Sequence, residues 1–223
     1  MHIPLFFADT DSRHLPETEE ITMDFANSET CRILMRSFAG ECQAHTRYLL
    51  AAKTAAAQQI PLLEQVFRMT AKQELIHAQK ITQQLQKNGI SQIEPGEGYP
   101  LDPPDNLLQI LDAAVQHELH EADELYPAFA ETAAAEGKAE AAALLRGLAD
   151  IERSHAARFR LFADFMREGS LFRAQEQTVW LCLNCGHLHT GTEPPQQCSV
   201  CGAVQGYAVR AALAPFTQSA DDV

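Results

Sequence analysis

Glu74-Leu75-Ile76-His77 and Glu152-Arg153-Ser154-His155 each set a carboxylate and an imidazole three residues apart. On an α-helix that spacing puts both side chains on one face, within reach of one ion. Glu118-Leu119-His120-Glu121 does the same with two carboxylates, and Glu41, in Phe38-Ala39-Gly40-Glu41-Cys42-Gln43-Ala44, adds another from an earlier segment. Carboxylate oxygen with neutral imidazole nitrogen is a mixed hard and borderline donor set, suited to iron or manganese and poor for Cu(I). Near the end of the chain, Cys182-Leu183-Asn184-Cys185-Gly186 and Cys198-Ser199-Val200-Cys201-Gly202 offer four thiolates to a second ion. The two donor sets imply two metal sites of different chemistry on one polypeptide.

The glutamates can meet only if four helices converge. One Glu from each of two helices and a Glu-x-x-His from each of two others is the donor pattern of di-iron carboxylate bundles, and this chain carries one glutamate more. The first helix is expected from the N-cap Ser28, with Cys31, Leu34, Met35, Phe38, Cys42, His45 and Leu49 repeating at three and four, to a point before Pro61. The second runs from about Leu62 to Lys87 and stops at Asn88-Gly89. Ile93 through Asp105, with Pro95, Gly96, Gly98, Pro100, Pro103 and Pro104, cannot be helical and is long enough for a crossover. A long connection between the second and third helices is the ferritin-like topology. The third helix is expected from near Asn106 to Glu136, kinked at Tyr126-Pro127, and the fourth from about Lys138 to Glu168. Beyond Phe172 the composition changes to a small β-rich unit. Thr178–Leu181 reads as a strand into the first cysteine pair, Thr190–Pro195 as a turn, and Gly206–Val209 as a closing strand. The organisation is thus an N-terminal extension (1–27), a four-helix bundle (28–172), a four-cysteine unit (173–215) and a tail (216–223).

Composition narrows the partners. The 223 residues carry 17 basic and 30 acidic side chains, a formal net charge of −13, which repels phosphate backbones and anionic membranes. Nucleic acid and membrane are therefore not expected as partners. No stretch approaches the roughly 18 apolar residues of a membrane span, and the opening segment lacks the basic start of a signal peptide. Of the six cysteines, four form Cys-x-x-Cys pairs, while Cys31 and Cys42 fall inside a helical pattern. That usage fits metal ligation in a reducing cytoplasm.

With both motif sets placed, the chain resembles the rubrerythrins over roughly residues 28 to 212. The resemblance rests on Phe38-Ala39-Gly40-Glu41 with Gln43-Ala44, Glu74-x-x-His77-Ala78, Glu118-x-x-Glu121 followed by Tyr126-Pro127, and Glu152-x-x-His155. The cysteine pairs, with twelve residues between Cys185 and Cys198, look like a rubredoxin domain. The resemblance implies a mainly α protein: a ferritin-like four-helix bundle holding two iron ions, fused to a rubredoxin-like domain with a third. The ligands would be Glu41, Glu74, His77, Glu118, Glu121, Glu152 and His155, and Cys182, Cys185, Cys198 and Cys201. It implies a cytoplasmic peroxidase that reduces hydrogen peroxide to water in oxidative-stress defence, with one iron moving from Glu121 to His77 on reduction and Tyr48 and Tyr126 beside the ions. Electrons would come from an external donor, a rubredoxin or an NAD(P)H-dependent reductase, through the four-cysteine site, and a head-to-tail homodimer would pass them between subunits. His117, His45 and Ser199 depart from the usual glycine, arginine and proline of the family.

Alternatives stay open at this level. The same bundle could oxidise and store iron as ferritins do, and a four-cysteine site of this spacing could be a structural zinc knuckle. His45, one turn from Glu41, is expected to hydrogen-bond a ligand glutamate or to be a ligand itself. His117 and His120 are expected to face solvent or to stand behind the ligands.

Overall fold

The structure is a computed structural model, described for residues 24–96, 98–101 and 106–214. The expected N-terminal extension up to residue 23 and the tail lie outside the described residues. Helix α1 spans Glu29–Ala57 and begins as its sequence requires: the Ser28 hydroxyl accepts the Cys31 N–H at 3.1 Å. A second acceptor comes from far along the chain, since the Glu136 carboxylate takes the free N–H groups of Glu29 and Thr30 at 2.9 and 2.8 Å. Helix α2 spans Pro61–Lys87, with Pro61 in the first turn where its missing N–H costs nothing, and Gly89 in the left-handed region ends it. The segment up to Leu107 has no regular structure among its described residues. Helix α3 (Leu107–His120) starts from Asn106, whose side chain accepts the Gln109 N–H, and helix α5 spans Ala139–Arg167.

Between α3 and α5 the expected single kinked helix is interrupted earlier than the proline. Residues Glu121–Leu125 form a π-helical turn, and α4 (Tyr126–Ala135) continues from it. The Tyr126 N–H bonds to the Glu121 carbonyl, one residue further back than in an α-helix. Pro127, with no N–H, sits in the first turn of α4, and the Ala122 carbonyl accepts from the Arg153 guanidinium of α5 at 3.3 Å.

The helices pair as two hairpins, α1 with α2 and α3–α4 with α5. Their apolar faces form two clusters. One contains Tyr48, Phe67, Leu111 and Phe159; the other contains Cys31, Leu34, Ile81, Tyr126 and Leu145. In every helix the candidate ligands fall between the residues of the two clusters, so the fold encloses a polar layer inside an apolar sleeve.

The C-terminal unit is a three-stranded antiparallel sheet of β1 (Thr178–Cys182), β2 (Leu188–Gly191) and β3 (Ala208–Arg210), with β1 central. Thr190 and Gly191, expected in a turn, close β2 instead, because Thr178 pairs opposite Gly191. The unit is not loosely tethered. Leu171, Val209 and Ala214 belong to the same buried cluster as Phe67 and Phe159. The Arg210 guanidinium lies over the rings of Phe165 and Trp180, 4.0 and 5.1 Å from their centroids, and donates to the carbonyls of Ser170 and Arg173. Gly206 touches the α1–α2 turn so closely that a Cβ there would stand 2.1 Å from the Gln59 carbonyl oxygen.

Candidate metal centres

The helical layer brings together Glu41 from α1, Glu74 and His77 from α2, Glu118 from α3, and Glu152 and His155 from α5, each 5% exposed or less. They divide into two sets of donor atoms: Glu41, Glu74, His77 and Glu152 in one, Glu74, Glu118, Glu152 and His155 in the other. Glu74 and Glu152 belong to both. His77 Nδ1 lies 3.3 Å from Glu41 Oε2, 3.2 Å from Glu74 Oε2 and 3.1 Å from Glu152 Oε1. His155 Nδ1 lies 3.0 Å from Glu74 Oε1, 3.3 Å from Glu118 Oε2 and 2.8 Å from Glu152 Oε2. Each shared carboxylate thus turns one oxygen to each set.

These donor atoms fit a pair of ions. All eight are buried and make no hydrogen bond. Two ligands about 2.1 Å from one ion, at right-angled to tetrahedral spacing, stand about 3.0–3.4 Å apart, close to the distances found. Energetics points the same way. Leaving a buried charge without its partner costs about 3–5 kcal/mol, and four such carboxylates would consume the roughly 5–15 kcal/mol that holds a domain folded.

Without a cation, protons must do the balancing. Burial pushes Glu41 up to about 8 against the pull of His77, and Glu74 adds to the rise. Burial alone would lower His155, but the nearby Glu118, Glu152 and Glu74 carboxylates carry it up to about 11. Burial would lower His77 too, but the Glu152, Glu41 and Glu74 carboxylates around it raise it.

The terminal carboxylates are held by tyrosines. The Tyr48 hydroxyl donates to Glu118 Oε1 and the Tyr126 hydroxyl to Glu41 Oε1. Tyr48 follows Glu41 by seven residues, two turns of α1, whereas Tyr126 follows Glu118 by eight. The π turn absorbs that extra residue, and the two halves of the layer present the same Glu–Tyr geometry.

Glu121 belongs to neither donor set. It stands in the π turn with part of its surface open to a cleft of about 400 Å³. Loss of water, together with Glu41, Glu118, Glu152 and Glu74, raises its carboxyl well above the usual range. His117 and His120 line that cleft, and His120 Nδ1 lies 3.2 Å from the exposed Glu124 carboxylate. His45 bonds through Nδ1 to the Ala71 carbonyl at 2.6 Å, not to a glutamate as expected. That bond ties α1 to α2 one turn below Glu74, and no motif foreshadows it. Arg158 is a second unforeseen neighbour: it donates to Thr70 Oγ1 and Gln73 Oε1, both at 3.0 Å, joining α5 to α2 beside the ligands.

The four cysteines also converge. Cys182 Sγ lies 3.8 Å from Cys201 Sγ, and Cys185 Sγ 3.7 Å from Cys198 Sγ. Thiolates about 2.3 Å from a tetrahedral ion are about 3.8 Å apart, while a disulfide would need about 2.05 Å. Cys182 and Cys198 are buried; Cys185 and Cys201 are exposed. The Asn184 amide donates to Cys201 Sγ and, with the Ala203 N–H, lowers that thiol to about 6.

Residues 32–163 match the rubrerythrin family profile, and residues 180–207 match that of the rubrerythrin rubredoxin-like domain. The chain belongs to the rubrerythrin family. Rubrerythrin of Clostridium perfringens is 36% identical over 181 residues, 81% of this chain and 93% of its own length. Rubrerythrin of Nitratidesulfovibrio vulgaris is 35% identical over 175 residues, 78% and 90% of the two chains. Among solved structures, nigerythrin in a mixed-valence state aligns with a TM-score of 0.54 at 25% identity, over 89% of this chain and 98% of its own. A Desulfovibrio desulfuricans bacterioferritin aligns with a TM-score of 0.59 at 16% identity, over 63% and 81%, and shares the fold. This chain is therefore a ferritin-like bundle followed by a rubredoxin-like domain. Among the described residues no helix is long and apolar enough to cross a membrane.

Proposed function

We propose that this protein is a peroxidase that reduces hydrogen peroxide to water, using iron held by Glu41, Glu74, His77, Glu118, Glu152 and His155 and electrons relayed through the Cys182/Cys185/Cys198/Cys201 site. The observation that carries the reading is the surplus carboxylate: with six side chains already providing two donor sets, Glu121 waits beside them at the floor of an accessible cleft. Two ferrous ions would supply the two electrons that split the O–O bond. The residues supply the rest. Glu74 and Glu152 would hold both ions, since each carboxylate belongs to both donor sets. Tyr48 and Tyr126 lock the outer oxygens of Glu118 and Glu41 and keep hydroxyl protons within the buried layer. Glu121, whose carboxyl favours the protonated form in this setting, can deliver a proton to the departing oxygen; once ionised, it would be the residue to hold the oxidised centre in place of His77.

The relay is proposed to run between subunits. From His155 to Arg167 the bundle extends for twelve residues of α5, about 18 Å, before the four-cysteine unit packs against its end. That is shorter than a helix continuous to Phe172 would give, yet it still sets the unit beyond the bundle's tip. A head-to-tail dimer would place it over the partner's ions, with the contact repeated by symmetry. A cytoplasmic setting and an external electron donor, a rubredoxin or an NAD(P)H-dependent reductase, complete the proposal. The test is reductant-driven peroxide consumption by exchanged heterodimers. One subunit would carry Cys182→Ser and Cys185→Ser, the other Glu74→Ala and Glu152→Ala. Restored activity is expected, and an inactive but properly formed heterodimer would contradict transfer in trans.

A further inference from the structure

We infer that the cleft above Glu121 is a substrate site for organic hydroperoxides with a compact apolar group, in addition to hydrogen peroxide. The inference rests on the peroxidase reading and deepens it. Size is the first argument. Hydrogen peroxide has two heavy atoms and needs about two water volumes, on the order of 60 Å³, whereas the cleft holds about 400 Å³, within the range of small-molecule sites. Its walls are the second. Tyr99, Pro100, Leu125 and Phe129 form its apolar part among polar groups that include Arg36, Arg47, His117 and His120, and Glu121 and Tyr126 complete the lining on the side of the metal layer. The walls are anchored. The Tyr99 hydroxyl donates to the Arg36 carbonyl at 3.2 Å, the Gln43 amide donates to the Pro100 carbonyl at 2.8 Å, and the Arg36 guanidinium stacks 5.0 Å from the Phe129 centroid.

The third argument is Gly40. It stands in the middle of α1, where glycine is less favourable than alanine by about 0.5–1 kcal/mol. Packing does not demand it, because a Cβ would meet nothing nearer than Tyr99 Cε1 at 3.8 Å, an ordinary contact. What the missing side chain leaves is room in the cleft beside Glu41. The reaction balances as ROOH plus two electrons and two protons giving ROH and water. The O–O bond breaks, the electrons come from the reduced protein and ultimately its external donor, and the protons come from Glu121 and solvent.

The test separates binding from turnover. Cumyl alcohol, the redox-inert product of cumene hydroperoxide, should bind the full-length iron-loaded protein in calorimetry with a Kd of about 1 mM or tighter. Gly40→Leu, which fills the cleft, should weaken that binding at least tenfold and lower kcat/KM for cumene hydroperoxide tenfold relative to that for hydrogen peroxide. Phe129→Ala, which removes a wall, should weaken alcohol binding in the same direction. No heat of binding up to about 10 mM alcohol, or an unchanged ratio of the two kcat/KM values in Gly40→Leu, overturns the inference. Failure of hydrogen peroxide turnover itself would sink the peroxidase reading and the hydroperoxide assignment with it. Turnover of hydrogen peroxide without alcohol binding overturns the cleft assignment alone.

Discussion

The two candidate metal centres solve opposite problems. In the bundle, donors from four helices are buried against each other and make no hydrogen bonds, so the fold carries an electrostatic debt that a metal or a proton must settle. In the four-cysteine unit the donors lie on two short hairpin turns, half of them exposed, with backbone and Asn184 donors already facing the sulfurs. One site is assembled by long-range packing and is tied to folding stability; the other is assembled locally and is tied to its neighbours' N–H groups. The contrast implies that damage to the first disturbs metal content and stability together, whereas damage to the second tunes a potential.

The largest expected effect follows from the shared carboxylates. Glu74→Ala or Glu152→Ala removes an oxygen from both donor sets, and fewer than about half the irons should remain on metal analysis. Peroxide consumption should fall to background. Glu121→Ala should retain iron and lose turnover, and equal iron loss in all three variants would erase the distinction between holding and switching residues.

Next in size is the junction between the two centres. Gly206→Ala would set a Cβ 2.1 Å from the Gln59 carbonyl and 2.8 Å from Pro61 Cδ. Gln59 already has φ of 58°, so the α1–α2 turn has little freedom to yield. A clash of this kind costs about 1–3 kcal/mol or more. The four-cysteine unit should detach, seen as new protease cutting between Arg173 and Thr178, with its own spectrum unchanged.

Acid and base should separate the centres further. In metal-free protein the folded state holds protons on Glu41 to about 8 and on His155 to about 11, both above their ordinary values. The stability these groups contribute is fully present below about 4.3 and 6.5 respectively, and is lost as pH rises through the folded values. Thermal melts of the chelated protein should therefore fall from pH 6 to pH 9. Iron loading, which displaces those protons, should flatten the slope. A chelated protein equally stable at both pH values would show that the cluster carries no such burden.

Much of this was legible in the sequence, and unevenly so. Glu-x-x-His spacing is a local property of a helix, and the positions of Glu41, Glu74, His77, Glu118, Glu152 and His155 in one layer follow from it once four helices pack. The crossover announced itself through its prolines and glycines. The π turn at Glu121–Leu125 did not, because a one-residue insertion leaves no compositional mark; its only trace was the spacing of eight from Glu118 to Tyr126 against seven from Glu41 to Tyr48. Nor could spacing reveal that His45 would choose the Ala71 carbonyl, that Glu136 would cap a helix more than a hundred residues earlier, or that Gly206 would abut Gln59. Those are partnerships between distant segments, which pattern within a segment does not encode.

The smallest expected effect belongs to Asn184→Ala. Loss of one amide donor to Cys201 Sγ should lower the potential of an iron-loaded four-cysteine site without altering its metal content, since hydrogen bonds to the sulfurs are one determinant of such potentials. Redox titration followed in the visible band checks it.

The central claim is that the buried centre reduces peroxide with electrons from the exposed one. Stopped-flow mixing of the fully reduced, iron-loaded protein with hydrogen peroxide or with O₂, followed at the visible band of the oxidised four-cysteine site, tests it most directly. The account predicts that the band rises faster with peroxide than with O₂, and that it fails to rise rapidly in Glu74→Ala. A rate with O₂ equal to or above that with peroxide, or iron uptake growing beyond the stoichiometry of the sites, would contradict it and favour iron storage.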